Sequence, residues 1–125
     1  MNDYFEGLPI STEDVYDISG YTGAIRTAVN ALQEAYPEAG ILLITPNQTI
    51  EFDYGNEIRS EQGGKLQEYA DALLVLADEM NVKVLDNYRQ LPIDMERHWE
   101  LLADGTHPNA QGRFLMGKLI ADFLE

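Results

Sequence analysis

The 125-residue chain carries 22 acidic and eight basic residues, which gives a formal net charge of −14 at pH 7. This charge disfavours nucleic acid and anionic membranes as partners, because both repel an acidic surface. The chain has no cysteine, no apolar run of membrane-spanning length and no signal-peptide pattern at its start. We therefore expect one soluble domain over residues 1–125, located in the cytoplasm or released without a signal peptide.

The first part of the chain predicts an arm, a helix and a strand. Residues 1–20 mix glycine, proline and short polar residues without a regular period, which is typical of a loop or arm. A helical period then predicts a helix over about 23–36, capped by Thr22. Its buried face would comprise Ile25, Ala28, Val29, Leu32 and Tyr36. The apolar run over 41–45 predicts a parallel strand that is covered on both faces.

The middle of the chain predicts a second helix and a second strand. A long polar connection over residues 47–63 leaves the carboxyl end of the first strand, where open α/β sheets bind their ligands. A helix is predicted over about 64–80 with Asn81 as its stop, and residues 82–86 predict the next strand. Helices and strands that alternate at these spacings favour a parallel sheet with right-handed crossovers.

The last part of the chain predicts two more helices. Pro92 and Asp94 open a short helix with an apolar side made of Met95, Trp99 and Leu102. Asn109 is a suitable N-cap for a final helix. The buried face of that helix would comprise Leu115, Met116, Leu119, Ile120 and Phe123.

Residues 104–109, which we call the base turn, place an acid and an imidazole in one turn ahead of the final helix. Gly105 permits a tight turn and Pro108 fixes the backbone after the histidine. Asp104 can accept a hydrogen bond from one ring nitrogen of His107 and leave the other nitrogen free as a base. The alternative interpretation is that this turn only caps the final helix through Asn109.

With the base turn placed, the chain resembles the carboxyl-terminal half of the SGNH (GDSL) hydrolase family. The Asp-x-x-His-Pro pattern of the base turn matches the last sequence block of that family, and Asn2-Asp3 resembles the end of its Gly-x-Asn-Asp block. The resemblance implies that His107 is the general base, that Asp104 orients it and that Asn2 donates into the oxyanion hole. It also implies a reaction that needs no metal or cofactor.

The fold implied by the resemblance is α/β, a three-layer flavodoxin-like SGNH hydrolase fold truncated at its N-terminal side. Two parallel strands with flanking helices would remain. The strand at 41–45 would then lack its neighbour on one side, and an open apolar edge of this kind favours association with another chain.

The nucleophile of the family is not matched, because the Gly-Asp-Ser and glycine blocks have no counterpart in these 125 residues. The serines, Ser11, Ser19 and Ser60, are interpreted as turn or cap residues, since none follows a strand in a nucleophile elbow. One hypothesis is an ester hydrolase that is inactive alone and acts on a small-molecule or glycan-borne ester once another segment supplies serine and glycine. The other is a non-catalytic module that forms homo-oligomers through its open sheet edge.

Two further sets of residues have weaker functional interpretations. His98 is interpreted as a surface residue. Asp53, Asp86 and Asp104 could form an acidic metal cluster, but ligands spread over three loops are not typical of such a site.

Overall fold

The computed structural model describes residues 1–50, 57–58 and 60–125, and in them two parallel strands are flanked by helices. In chain order the described elements are α1 (Asn2–Phe5), α2 (Tyr21–Ala35), β1 (Leu42–Ile44), α3 (Leu66–Glu79), β2 (Lys83–Leu85), α4 (Asn87–Gln90) and α5 (Ala110–Leu124), and a 3-10 turn lies at His98–Glu100. The predicted α/β class, with parallel strands between helices, is confirmed.

The sheet consists of β1 and β2 in parallel, with Leu42 opposite Lys83 and Ile44 opposite Leu85. The backbone N–H of Thr45 extends the pairing by donating to the Leu85 carbonyl at 3.0 Å. Helix α3 forms the crossover between the strands. Among the described residues no strand pairs with the other edge of β1, so that edge is open as predicted.

Helix α3 matches its sequence prediction closely. The Glu68 side chain accepts the Lys65 backbone N–H at 2.6 Å and so closes the first turn. Asn81 adopts a positive φ of 52° and ends the helix, as short polar residues at this position often do. No helix in the described part of the chain is long and apolar enough to cross a membrane.

The main core is built on tyrosines, and it includes part of the arm, residues 1–20. Buried residues of this core are Tyr4, Tyr21, Leu66, Tyr69 and Leu73. The prediction that the arm is only a loop was wrong at its start, where α1 carries Tyr4 into the core. The hydroxyl of Tyr4 donates to the Glu57 carbonyl at 2.6 Å, so its polar group is satisfied although the ring is buried.

Helix α2 differs from its prediction at the cap and along its face. Gly20 is the N-cap, and Thr22 lies inside the helix, where its hydroxyl donates to the Ile10 carbonyl at 3.0 Å. Val29 is buried, but Leu32 and Tyr36 are 48% and 65% exposed. Tyr36 is the C-cap and lies outside the helix, so α2 ends one residue before the predicted end. The described residues leave the end of α2 near Leu32 uncovered.

A second apolar cluster holds α5 against the segment that precedes the base turn. It combines buried Leu91, Ile93, Leu101 and Leu102 with the partly buried Leu115, Met116 and Leu119 of α5. The α5 face therefore contacts the protein as predicted, although Phe123 at its end is exposed.

The predicted helix after Pro92 is wrong, because only the 3-10 turn His98–Glu100 forms there. The Asp94 carboxylate accepts the Glu96 backbone N–H at 2.9 Å, and this local bond competes with helix formation. Without a helical face, Trp99 is 60% exposed and Met95 is also exposed, whereas Leu102 is buried as expected.

Candidate active site

The predicted acid and imidazole of the base turn are in direct contact. Nδ1 of His107 lies 2.7 Å from Oδ2 of Asp104. Both side chains face solvent, with 76% of the His107 side chain and 57% of the Asp104 side chain exposed. Among the described residues, none hydrogen-bonds the second ring nitrogen, Nε2. The expected hydrogen bond is therefore confirmed, and it leaves Nε2 accessible.

The backbone of the base turn holds the Asp104 carboxylate in its ionised form. Gly105 has a φ of 87°, a region that favours glycine. This bend directs the N–H groups of Thr106 and His107 to Asp104 Oδ1, at 3.1 and 2.8 Å. These bonds and the His107 side chain lower the pKa of Asp104 from its ordinary value of 3.8 to about 2, with the His107 backbone N–H as the largest cause.

The ionisation of Asp104 fixes which His107 nitrogen carries the proton. A carboxylate accepts hydrogen bonds only, so Nδ1 must be the donor across the 2.7 Å contact. In the neutral imidazole, Nε2 then carries the free lone pair. This is the tautomer that a general base needs.

Backbone hydrogen bonds close the base turn and join it to the segment that precedes it. The Ala103 N–H donates to the His107 carbonyl at 2.8 Å, and the Asn109 N–H donates to the Leu101 carbonyl at 2.8 Å. Asn109 also caps α5 as predicted, because its side-chain oxygen accepts the Gly112 N–H at 3.0 Å. The capping interpretation thus describes Asn109, and it leaves the contact between Asp104 and His107 unexplained.

A second segment, residues 47–50, also holds the base turn, and we call it the strap. The Thr49 hydroxyl donates to the Gly105 carbonyl at 2.9 Å, and the Ile50 N–H donates to the same oxygen at 2.8 Å. The Asn47 side-chain NH2 donates to the Thr106 carbonyl at 3.0 Å. The sequence indicated a functional loop over 47–63 but singled out neither Asn47 nor Thr49.

The third predicted residue, Asn2, lies in the same pocket as His107. The pocket measures about 310 Å³, and its lining residues are Met1, Asn2, Phe5, Asn47, Thr106, His107 and Pro108. Buried Tyr4 anchors α1, which carries Asn2 to this position. Asn2 is exposed, and among the described residues no hydrogen bond occupies its side-chain amide. Asn47 differs, because its NH2 group already donates to Gln48 and Thr106.

The three serines lie away from His107. The Ser60 hydroxyl donates to the Gly7 carbonyl at 2.5 Å and accepts the N–H groups of Gln62 and Gly63. The Ser19 N–H donates to the Asp17 carboxylate. Ser11 lines a separate pocket beside Arg26 and Glu79. None of the three lines the pocket that contains His107.

The alternative metal cluster can be followed only in part. Asp53 lies outside the described residues. The Asp86 carboxylate caps α4 and pairs with the Arg89 guanidinium at 2.9 Å, whereas Asp104 binds His107. No group of three or more metal-ligating side chains occurs among the residues described. His98 is half-buried, with Nδ1 3.4 Å from the Met95 carbonyl oxygen.

Comparison with protein families connects this site to a known group. A model of the GDSL-like lipase/acylhydrolase family matches residues 1–113. The chain belongs to the GDSL-like lipase/acylhydrolase family. The match spans both ends of the pocket, from Asn2 to His107. A search of curated protein sequences finds no match to this GDSL-like chain.

Solved structures share the fold of this GDSL-like chain. A Lactobacillus plantarum protein superposes with a TM-score of 0.84 at 22% identity, over 98% of this chain and 62% of its own. A possible lipase from Chitinophaga pinensis gives 0.75 at 20% identity, over 98% and 68%. The esterase domain of the zebrafish ZfL2-1 retrotransposon ORF1 protein gives 0.63 at 19% identity, over 81% and 55%. The GDSL-like chain therefore spans roughly three-fifths of the solved chains that it matches.

Proposed function

We propose that this chain supplies the base, its orienting acid and one oxyanion donor of a serine-type carboxylic-ester hydrolase. The proposal rests chiefly on the 2.7 Å contact between His107 Nδ1 and Asp104, and on the pocket that His107 and Asn2 line together. Membership of the GDSL-like lipase/acylhydrolase family supports the reaction class. The substrate would be a small-molecule or glycan-borne ester.

In the proposed reaction, His107 acts first as base and then as acid. Nε2 removes the proton of a serine hydroxyl as its oxygen attacks the ester carbonyl carbon. The same proton is then delivered to the leaving alcohol, and the acyl-serine bond is cleaved by water in a second cycle of the same kind. Asp104 remains ionised throughout, because its pKa of about 2 lies far below neutral pH. Its negative charge stabilises the imidazolium that forms on His107.

Asn2 would stabilise the negative oxygen of the tetrahedral intermediate. Asn2 lines the pocket and its side-chain NH2 is a neutral donor, which makes no hydrogen bond with the described residues that would have to break first. A well-placed donor of this kind contributes about 3 kcal/mol to transition-state stabilisation. Asn47 lines the same pocket, but the bonds of its NH2 group to Gln48 and Thr106 make it the weaker candidate for this role.

The nucleophilic serine and the oxyanion glycine would come from a segment outside these 125 residues. None of the three serines of this chain lines the pocket with His107, and the Ser60 hydroxyl is already bonded to the Gly7 carbonyl. One edge of β1 pairs with no described strand, and Leu32 and Tyr36 at the end of α2 are exposed, so such a segment would have a surface to cover. Without it we expect negligible esterase activity.

Labelling with a fluorophosphonate, together with hydrolysis of p-nitrophenyl acetate, tests the proposal. The chain alone should show neither. The polypeptide encoded together with any in-frame Gly-Asp-Ser segment upstream of Met1 should show both, and both should depend on His107. Labelling of the chain alone would contradict the claim that its serines are inactive. If the complemented protein kept its labelling and its ester hydrolysis after His107 was replaced, the role proposed for His107 as the base would be contradicted.

A non-catalytic module that self-associates is the second candidate function. The open edge of β1 favours it, because Ile44 on that strand is partly exposed and Leu32 and Tyr36 nearby in sequence are uncovered. An exposed strand edge pairs readily with the same edge of another copy. The proposal predicts dimers or larger oligomers of the isolated chain.

A further inference from the structure

We propose that Thr49 and Asn47 of the strap are positioning residues that orient His107 through two peptide groups of the base turn. The inference rests on the proposed function, since it concerns the same base. It adds residues that lie 56 and 59 positions from the carbonyl groups they hold. They would act on the imidazole without touching it.

The first peptide group joins Gly105 to Thr106. Its carbonyl oxygen accepts the Thr49 hydroxyl at 2.9 Å and the Ile50 N–H at 2.8 Å. Its N–H, on Thr106, donates to Asp104 Oδ1 at 3.1 Å. A peptide group is planar, so fixing its carbonyl also fixes the direction of its N–H.

The second peptide group joins Thr106 to His107 and is held in the same way. Its carbonyl accepts the Asn47 NH2 group at 3.0 Å, and its N–H donates to Asp104 Oδ1 at 2.8 Å. The strap thus holds the carbonyl end of both peptide groups whose N–H ends hold Asp104. Asp104 in turn binds His107 Nδ1 at 2.7 Å.

The hydroxyl groups of Thr49 and Thr106 form a further contact between the strap and the base turn. Thr49 Oγ1 has one proton, and it is used on the Gly105 carbonyl, which cannot donate. The hydroxyl oxygens of Thr49 and Thr106 lie 2.7 Å apart. Thr49 and Thr106 are both buried, so little water is present to replace a lost partner.

Two NMR measurements on the isolated chain test the positioning role. Ring ¹⁵N shifts report which nitrogen of His107 is protonated in the neutral imidazole, with His98 as the only other histidine. Amide hydrogen exchange reports the N–H groups of Thr106 and His107. We expect Thr49→Val to shift His107 away from the Nδ1–H tautomer and to speed exchange of both amides by about tenfold.

Two variants separate positioning from general stability. Thr49→Ser keeps the hydroxyl and should restore both wild-type values. Thr45→Val removes a hydroxyl that is equally buried but bonds the Tyr88 N–H and the Asp86 carboxylate, away from the base turn. It should leave the His107 tautomer and both exchange rates unchanged, even where it lowers the stability of the protein.

Unchanged tautomer and exchange in Thr49→Val would overturn the proposal, as would equal changes in Thr45→Val. Should Thr49→Val not fold, Asn47→Ala is measured in the same way, and wild-type values there overturn it too. Neither measurement needs substrate or a nucleophile. These measurements therefore test the positioning role of the strap separately from the proposed hydrolase function. The hydrolase function is tested by labelling and ester hydrolysis.

Discussion

The Cα of Gly112 lies directly against the carbonyl oxygen of Leu101. A Cβ at residue 112 would be 2.2 Å from that oxygen, which is backbone and cannot swing away. This approach joins the first turn of α5 to the segment that leads into the base turn. Gly117 lies five residues further along α5, and among the described residues a Cβ added there would have no atom within 4 Å apart from those of its chain neighbours and its own helix backbone.

Gly112→Ala should therefore destabilise the protein by about 1–3 kcal/mol, because the helix must shift to relieve the overlap. Gly117→Ala should instead stabilise it by up to about 1 kcal/mol, since alanine is the better helix former. Urea unfolding of the two variants measures the difference. Equal effects at both positions would mean that α5 does not approach Leu101 this closely.

His107→Ala should abolish activity of the complemented enzyme without unfolding it. We expect a loss in kcat of at least about a thousandfold, because the proposed base is removed. The exposed side chain should contribute no more than about 0.5 kcal/mol to stability. Ester hydrolysis and urea unfolding measure the two effects. His98→Ala serves as the control, and a loss of folding in His107→Ala would favour a purely structural role for the turn.

Asp104 should make stability depend on pH in a defined window. Its pKa is lowered from 3.8 to about 2 in the folded protein, so the folded state favours the carboxylate. The resulting stabilisation is present above pH 3.8 and is lost as pH falls through about 2. Asp104→Asn lacks this contribution, so its stability difference from the wild type should shrink between pH 4 and 2.

Urea unfolding at several pH values measures that difference. Asp122→Asn is a suitable control, because Asp122 lies on the exposed side near the end of α5 and makes no hydrogen bond with the described residues. A wild-type to Asp104→Asn difference that stays constant across the window would contradict the assigned pKa.

The open edge of β1 should cause association of the isolated chain. Sedimentation at micromolar concentration should reveal dimers or larger species, and Ile44→Lys should reduce them, because a charge on an exposed strand opposes pairing between edges. Val75→Lys makes the same change at an exposed site on α3 and should have no effect. A monomeric wild-type chain would count against this prediction.

The sequence predicted the parts of the structure that depend on neighbouring residues. Asn109 caps α5, Asn81 ends α3 and Asp104 contacts His107, and each of these contacts joins residues no more than a few positions apart. The two strands were also located correctly, because short apolar runs between helices have few other interpretations.

The burial of each predicted helix face depended on which residues pack against it, and periodicity does not predict that. Leu32, Tyr36 and Trp99 were assigned to apolar faces, yet all three are exposed. The sequence did not predict the contacts of Thr49 and Asn47 with the base turn, because their partners lie 56 and 59 positions away. A usable signal was their alternation with Gln48 directly after a strand, since polar residues there often contact neighbouring loops.

The anchoring of α1 by Tyr4 determines how any extension of the chain would meet the pocket. Met1 itself lines the cavity beside His107, and burial lowers the pKa of its amino group. Whatever is joined to Met1, whether a natural upstream sequence or an affinity tag, must start at this cavity. Assays are therefore best made with tags at the exposed carboxyl end, since a tag at Met1 would begin at the cavity that His107 lines.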